Sequence, residues 1–482
     1  MKDTTSLHVG QEALYSLVSK LIMASVGFGG TLIFARVLGP NGLGVYQSAL
    51  AVAFVFAKIS DGIAAAVRKR VSEVNTDPSR FFGGGLILYG AIISIILSGL
   101  FLLVNPAIRY FGDLQIVLGA FAVVSALGLF NIVNHLYAGI GYPARSSWID
   151  TIRSVLTLLL QLIFLSIGLE VFGLLIGLAF GTFVAALISV IAAGVQPEVP
   201  KRKTIKRIYT FARWTVPTGL LTNFYSSADI IIITTVVGSA ATGQYTVAMQ
   251  LVMPAALLAS SIRNALGVQA SGRSSVGQAV DQDLINAISY TGLFAIPILF
   301  GALAMPQAIP RTLFGSDFSS AGAALVGMAL FQVGNVYAKP FEATFEGIDR
   351  PGVIFRVNMI ILLIHLPLAV LLGMNYGLVG VVGATVFAEG VRIFTYQYIA
   401  LRQFNRIIVP KPVGEQLLSA LLMFLALKFA LIEVSVRNWI ILVALVGGGA
   451  VLYFAVLLMI SSDFRITVNQ ALPFDTIRLR EK

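Results

Sequence analysis

The stretch Val37-Leu38-Gly39-Pro40-Asn41-Gly42-Leu43-Gly44-Val45-Tyr46-Gln47-Ser48-Ala49 decides the fold, because its pattern returns at Val236-Val237-Gly238-Ser239-Ala240-Ala241-Thr242-Gly243-Gln244-Tyr245-Thr246-Val247-Ala248. Gly39, Gly44 and Tyr46 match Gly238, Gly243 and Tyr245, at an offset of about 199 residues. In both places a long apolar segment ends in a Gly-x-x-x-x-Gly-x-Tyr turn and runs into another. A second pair of landmarks agrees: Gly139-Ile140-Gly141-Tyr142-Pro143 is answered by Gly347-Ile348-Asp349-Arg350-Pro351, again after a long apolar segment. Internal duplication on this scale in a membrane chain predicts two pseudo-symmetric lobes, the construction of secondary transporters.

Composition places the chain in lipid. With 57% hydrophobic and only 11% charged residues over 482 positions, there is too little polar surface to cover a water-soluble fold. Stretches of about 20 apolar residues, enough to cross roughly 30 Å of hydrocarbon, number about fourteen. The first two, 13–37 and 43–66, flank the glycine turn, and the eighth runs 243–266. The expected fold is an all-α polytopic bundle of about fourteen transmembrane helices: two parallel six-helix repeats plus two C-terminal helices. The expected divisions are an N-terminal six-helix lobe 1–200, a basic cytoplasmic linker 201–209, a C-terminal six-helix lobe 210–405, appended helices thirteen and fourteen over 406–462, and a cytoplasmic tail 463–482.

Lys and Arg in short loops set orientation. Arg68, Lys69, Arg70 and Arg80, then Lys201, Arg202, Lys203, Lys206 and Arg207, then Arg402, Arg406 and Lys411, and the tail residues Arg465, Arg478, Arg480 and Lys482 all fall on one side. The other side carries little beyond Arg36, Arg109, Arg311 and Arg437. Both termini are therefore expected on the cytoplasmic face of the cell membrane. Topology accounts for the net charge of +11 without nucleic acid, since no basic stretch interleaves with stacking aromatics in a soluble domain. No removable signal peptide is expected, as the polar start Met1 to Gln11 leads straight into a full-length apolar span. The absence of cysteine excludes disulfides, thiolate metal sites and Cys nucleophiles. Three histidines and no GxxxxGK[ST] phosphate loop argue against a histidine-rich metal site and against ATP hydrolysis. No cofactor is expected.

The run from Ala35 through Tyr46, followed by a helix ending near Asp61 and then by basic residues and Glu73, resembles the first helical hairpin of a known family. That family is the polysaccharide-transporter branch of the multidrug/oligosaccharidyl-lipid/polysaccharide exporter superfamily. Pro217, Asp229-Ile230-Ile231-Ile232, Gly238, Gly243, Tyr245 and Ala248 are similar to its seventh and eighth helices, and the resemblance covers nearly the whole chain. It implies a membrane transporter rather than an enzyme: a Wzx-like flippase moving a polyprenyl-phosphate- or polyprenyl-pyrophosphate-linked oligosaccharide from the cytoplasmic to the outer leaflet, by alternating access of two lobes. Membrane lipid and glycan-assembly enzymes are its implied partners.

Such a substrate needs a cationic path, and ionisable side chains within spanning helices mark candidates for one. Lys20 on span one, Lys58 on span two, Arg213 on span seven and Arg263 on span eight are the candidate phosphate ligands. Asp61, three residues from Lys58 and so on the same helix face, and Asp229 on span seven are charge partners or coupling carboxylates. Each has a plainer reading as well. Arginines near helix ends snorkel to the interface, and a Lys58–Asp61 pair also serves simply to neutralise two buried charges. Asn131, Asn134 and His135 on span four, with Gln332, Asn335 and Tyr337 on span ten, are glycan-contact candidates whose alternative role is interhelical hydrogen bonding. Glu389 and Arg392, three apart, read as a mutual pair.

Three other functions stay open. A cation-coupled multidrug antiporter of the same superfamily normally places a carboxylate in its first helix, whereas no Asp or Glu occurs between Glu12 and Asp61 here. A lipid II flippase is close in chemistry. A membrane glycosyltransferase or polymerase would be expected to carry paired carboxylates or a sizeable outer loop, and Asp113 and Asp317 stand alone in theirs.

Overall fold

The computed structural model describes residues 9–73 and 76–471; Arg478, Arg480 and Lys482 of the expected tail, and Met1 to His8, lie outside the described residues. Those residues form helices α1 (Val9–Val71), α2 (Pro78–Leu102), α3 (Val104–Phe111), α4 (Leu114–Gly139), α5 (Pro143–Ser166), α6 (Glu170–Ala193) and α7 (Arg202–Val236). They continue with α8 (Ser239–Val252), α9 (Pro254–Ser275), α10 (Asp281–Thr291), α11 (Ala295–Ala304), α12 (Ala308–Phe314) and α13 (Gly322–Gly347). The last four are α14 (Pro351–Phe404), α15 (Lys411–Glu433), α16 (Trp439–Ile460) and α17 (Ser462–Ala471).

Among the described residues, eleven helical segments are long and apolar enough to cross a membrane, or twelve if the bent pair α8 and α9 forms one span. The expectation of about fourteen counts separately the two halves of α1 and the two halves of α14. Their 63 and 54 residues are each interrupted by a glycine outside helical geometry. At 1.5 Å per residue a straight α1 would run roughly 95 Å, three bilayer cores long, so a reversal is required. Gly39 supplies it with φ 65 and ψ −175, and Pro40 restarts the helix at once. Gly377 does the same in α14 with φ 60. A side chain at either position would clash with its own backbone. Within the expected eighth span the chain breaks at Met253 ahead of Pro254, and α8 and α9 meet at a bend of 54°.

Packing divides the chain into two compact units, Met1–Gly243 and Gln244–Lys482. The basic segment expected as a linker is the first turns of α7. In the first unit α1 packs along α4, α5 and α7, and α5 and α4 along α6. Ile63, Val67, Phe81, Phe130, Ile132 and Leu136 are in its core. The repeated turns interlock: a Cβ on Gly44 would stand 1.7 Å from the Ser239 carbonyl oxygen, and one on Gly243 would stand 2.0 Å from that of Pro40. Ser239 also hydrogen bonds Asn41 across this contact. Tyr46 is buried beneath it and accepts from Gln161 Nε2 at 2.7 Å.

In the second unit α9 and α14 pack on α13, and α11 packs on α13 and α15. The appended helices α15 and α16 close a core of Ile296, Met305, Met423, Tyr453 and Leu457.

Candidate functional site

The second half of α1 carries the charges. Lys58 Nζ donates to Asp61 Oδ2 at 2.9 Å, the geometry that an i,i+3 spacing allows, with the side chains 38% and 29% exposed. Asp61 has a second neighbour: His135 Nε2 of α4 stands 3.5 Å from its other carboxylate oxygen. The two helices approach closely because Gly128 of α4 faces Ser60, whose Oγ would lie 2.8 Å from a Cβ at that glycine. On the other side of α1, Thr215 of α7 donates to the Gly62 carbonyl at 2.9 Å, and Gly219 leaves room beside Lys58.

Lys58 is half-buried and lies about 15 Å of helix before Arg68, on a helix that runs on to Val71 where the sequence reading ended the span at 66. Lys20 lies on the first half of α1, exposed, next to Ser19. Ser19 is fully buried and bonds Thr151 Oγ1 at 2.6 Å and the Ser147 carbonyl at 2.9 Å, which fixes that half against α5.

The glycan candidates of α4 separate. Asn134 is engaged in tying α4 to α5, its Oδ1 accepting from Ser146 at 2.9 Å. Asn131 lies one turn before His135, on the face that carries Asp61's partner. Arg213 of α7 does not join this cluster among the described contacts; its guanidinium lies over the Trp214 ring at 5.4 Å, and both residues are exposed. Asp229 is buried further along α7.

Sequence reasoning passed over Asp150 and Arg153 of α5, which pair at 2.8 Å, with the guanidinium 5.1 Å over the Phe130 ring. The signal was present: two opposite charges at i,i+3 in an otherwise apolar span, next to the α4 residues already singled out.

In the second unit Arg263 of α9 meets two carboxylates of α13, Glu346 at 2.8 Å and Glu342 at 3.7 Å. Gln332 is buried and accepts from Asn335 Nδ2 at 3.3 Å. Tyr337 lines a cavity of about 460 Å³ together with Phe341, Glu389 and Gln397. Glu389 and Arg392 pair at 3.3 Å with almost no exposure.

Such an array, a bundle of spanning helices in which the half-buried cations Lys58 and Arg263 are held by carboxylates, is that of a membrane transporter. Solved structures bear this out for the fold. A lipid II flippase MurJ in an inward closed conformation superposes with a TM-score of 0.79 at 16% identity, covering 95% of this chain and all of that one. A multidrug resistance MATE family transporter of the MOP superfamily, inward-facing, superposes at 0.64 with 17% identity, over 81% of this chain and all of that one.

The chain belongs to the polysaccharide biosynthesis protein family, whose model matches residues 33–323. Two Haloferax volcanii proteins are similar along most of their length. One, named a probable flippase AglR, is 28% identical over 92% of this chain and 95% of its own. The other, named a probable low-salt glycan biosynthesis flippase Agl15, is 22% identical over 80% of this chain and 82% of its own.

Proposed function

We propose that the protein is a flippase for a polyprenyl-phosphate- or polyprenyl-pyrophosphate-linked oligosaccharide, carrying it from the cytoplasmic to the outer leaflet by exposing one site to each side in turn. The observation that carries this reading is Lys58, a cation deep in a spanning helix of a polysaccharide-biosynthesis protein, held by a carboxylate that has a second partner. A phosphate arriving from the inner leaflet takes Lys58 from Asp61, and Asp61 keeps His135 3.5 Å from its other oxygen. A proton taken up by that imidazole in the same step would balance the carboxylate, so that no lone charge is left in a low-dielectric site. Lys20 joins from the first half of α1, while Arg263 holds phosphate only in competition with Glu342 and Glu346.

Asn131 and His135, with Asn335 and Tyr337 in the second repeat, are the proposed glycan contacts; Asn134 and Gln332 serve the fold first. In this reading the repeats 1–200 and 210–405 are the moving lobes, both termini are cytoplasmic, and the membrane is the plasma membrane. Glycan-assembly enzymes take the product on the far side.

The test is transbilayer movement of a fluorescent polyprenyl-pyrophosphate oligosaccharide in proteoliposomes, with Lys58→Ala beside the parent protein. Movement by the parent, lost in the folded variant, is expected. No movement by the parent, with gradient-driven efflux of organic cations instead, would transfer the assignment to a multidrug antiporter and make Asp229 its coupling carboxylate.

A further inference from the structure

At one end of the second unit, α12 and the start of α16 sort their residues by polarity. Ile309 and Leu313 of α12, with Leu442 and Val446 of α16, face an apolar cavity of about 650 Å³ that also reaches Phe294 and Tyr453. The intervening Arg311 and Thr312 line a second cavity of about 660 Å³, which is polar and shared with Arg437, Asn438 and Trp439. Both cavities are thus built on the same two segments, with the apolar one against the polar one. Each holds roughly as much as a small-ligand site.

Arg311 and Arg437 are two of the few cations that the loop-charge pattern assigns to the non-cytoplasmic side. Neither is in an ion pair among the described residues. The Arg437 Nε donates to Ser435 Oγ at 2.9 Å, and no carboxylate lines the cavity; of the acids nearest in sequence, Glu433 ends α15 outside the lining and Asp317 accepts from Ser316 at 3.2 Å. Two guanidiniums from segments far apart in sequence therefore converge on one polar space with no counter-charge in its lining. Arginine forks suit phosphate oxygens, and two of them match the charge of about −2 on a phosphate monoester better than the single charge of a phosphodiester lipid.

We infer that this double cavity is an outer-leaflet binding site for a lipid-borne phosphate monoester, polyprenyl monophosphate in type. Arg311 and Arg437 hold the phosphate, Trp439 stands at the membrane interface beside it, and the hydrocarbon chain lies in the apolar cavity. Polyprenyl monophosphate is the carrier left once a glycan transferase or a pyrophosphatase has consumed a polyprenyl-linked product. The site would therefore sense or retain spent carrier on the product side. The inference rests on the proposed flippase reading for which end is outer and for the choice of prenyl chain.

The experiment measures equilibrium binding of polyprenyl monophosphate to the full chain in zwitterionic nanodiscs, in a Lys58→Ala background so that binding at that lysine does not contribute. Arg311→Gln/Arg437→Gln is expected to weaken binding about tenfold or more. Polyprenol lacking the phosphate should bind both proteins equally, and Arg311→Lys/Arg437→Lys should restore part of the affinity. Unchanged affinity in the Gln variant overturns the site. Displacement by inorganic phosphate overturns its assignment to a lipid, and displacement by equimolar phosphatidylglycerol overturns the monoester. If the double variant fails to fold, Arg437→Gln alone, in the exposed loop before α16, replaces it with the same readout. Transport plays no part in the assay, so this site and the flippase reading fail separately.

Discussion

Gly44 and Gly243 occupy equivalent places in the two repeats and press on each other's turns, so a methyl group at either has a calculable effect. At Gly44 the new Cβ would lie 1.7 Å from the Ser239 oxygen, and at Gly243 it would lie 2.0 Å from the Pro40 oxygen. Both opposing atoms are backbone and have no rotamer to change. Because Cβ atoms essentially never approach a neighbour closer than 3.0 Å, each turn must retreat by about an ångström or more. That strains the Asn41–Ser239 bond and loosens the seat of Tyr46. Overpacking usually costs about 1–3 kcal/mol, and a backbone-on-backbone clash belongs at the upper end. A fall of roughly 5 °C in the melting midpoint, read by fluorescence-detected size exclusion in detergent, is expected for Gly44→Ala.

The two substitutions should couple. Once one turn has moved, the second methyl enters space already opened, and the double variant should lose clearly less than the singles combined. Gly27→Ala and Gly29→Ala are the controls, since a Cβ at either meets nothing within 4 Å. They should be neutral or stabilising by up to about 1 kcal/mol through helix propensity. A Gly44→Ala protein that melts like the parent, or a strictly additive double variant, refutes the interlock.

Gln161→Leu removes the donor to Tyr46 at 2.7 Å and the extra donor to the Leu174 carbonyl at 3.0 Å; Leu174 keeps its bond within α6, and the buried Tyr46 hydroxyl loses its partner. A loss of about 1–3 kcal/mol is expected in the same melting assay, against little change for an exposed control such as Gln403→Leu. Asp61→Asn leaves Lys58 without its anion. In proteoliposomes it should bind polyprenyl pyrophosphate more tightly yet flip it about tenfold more slowly, because nothing competes for the lysine at release; equal binding and equal rate would remove Asp61 from the exchange.

How much of this was legible in the sequence follows from range. The Gly39 reversal could be read because apolar length forces it and a positive φ at the break calls for glycine. Lys58 with Asp61, and Glu389 with Arg392, could be read because i,i+3 neighbours on a helix face one another whatever the fold. What could not be read depends on which helices touch. His135 reaches Asp61 only because Gly128 admits α4 against Ser60. Arg263 and its two glutamates belong to helices that no local rule brings together. Arg213 and Asn134 share the residue types of the site, but Arg213 lies over its chain neighbour Trp214, and the packing of α4 on α5 gives Asn134 to Ser146.

These contacts also bear on why a flippase would keep a carboxylate beside its main cation. A bare lysine deep in a helix is costly to hold and, once it has captured a phosphate, costly to release. A lysine permanently paired is cheap to hold and captures nothing. Asp61 lies between these cases because it has somewhere else to go: His135 is 3.5 Å from one oxygen while Lys58 is 2.9 Å from the other. The carboxylate thus has one partner on its own helix and one on α4. In the proposed mechanism, a motion that shifts α4 along α1 would change Asp61's preference between them, and with it the affinity of Lys58 for an anion. Differential affinity between two conformations is what alternating access requires, and a movable counter-ion would supply it without relocating the lysine.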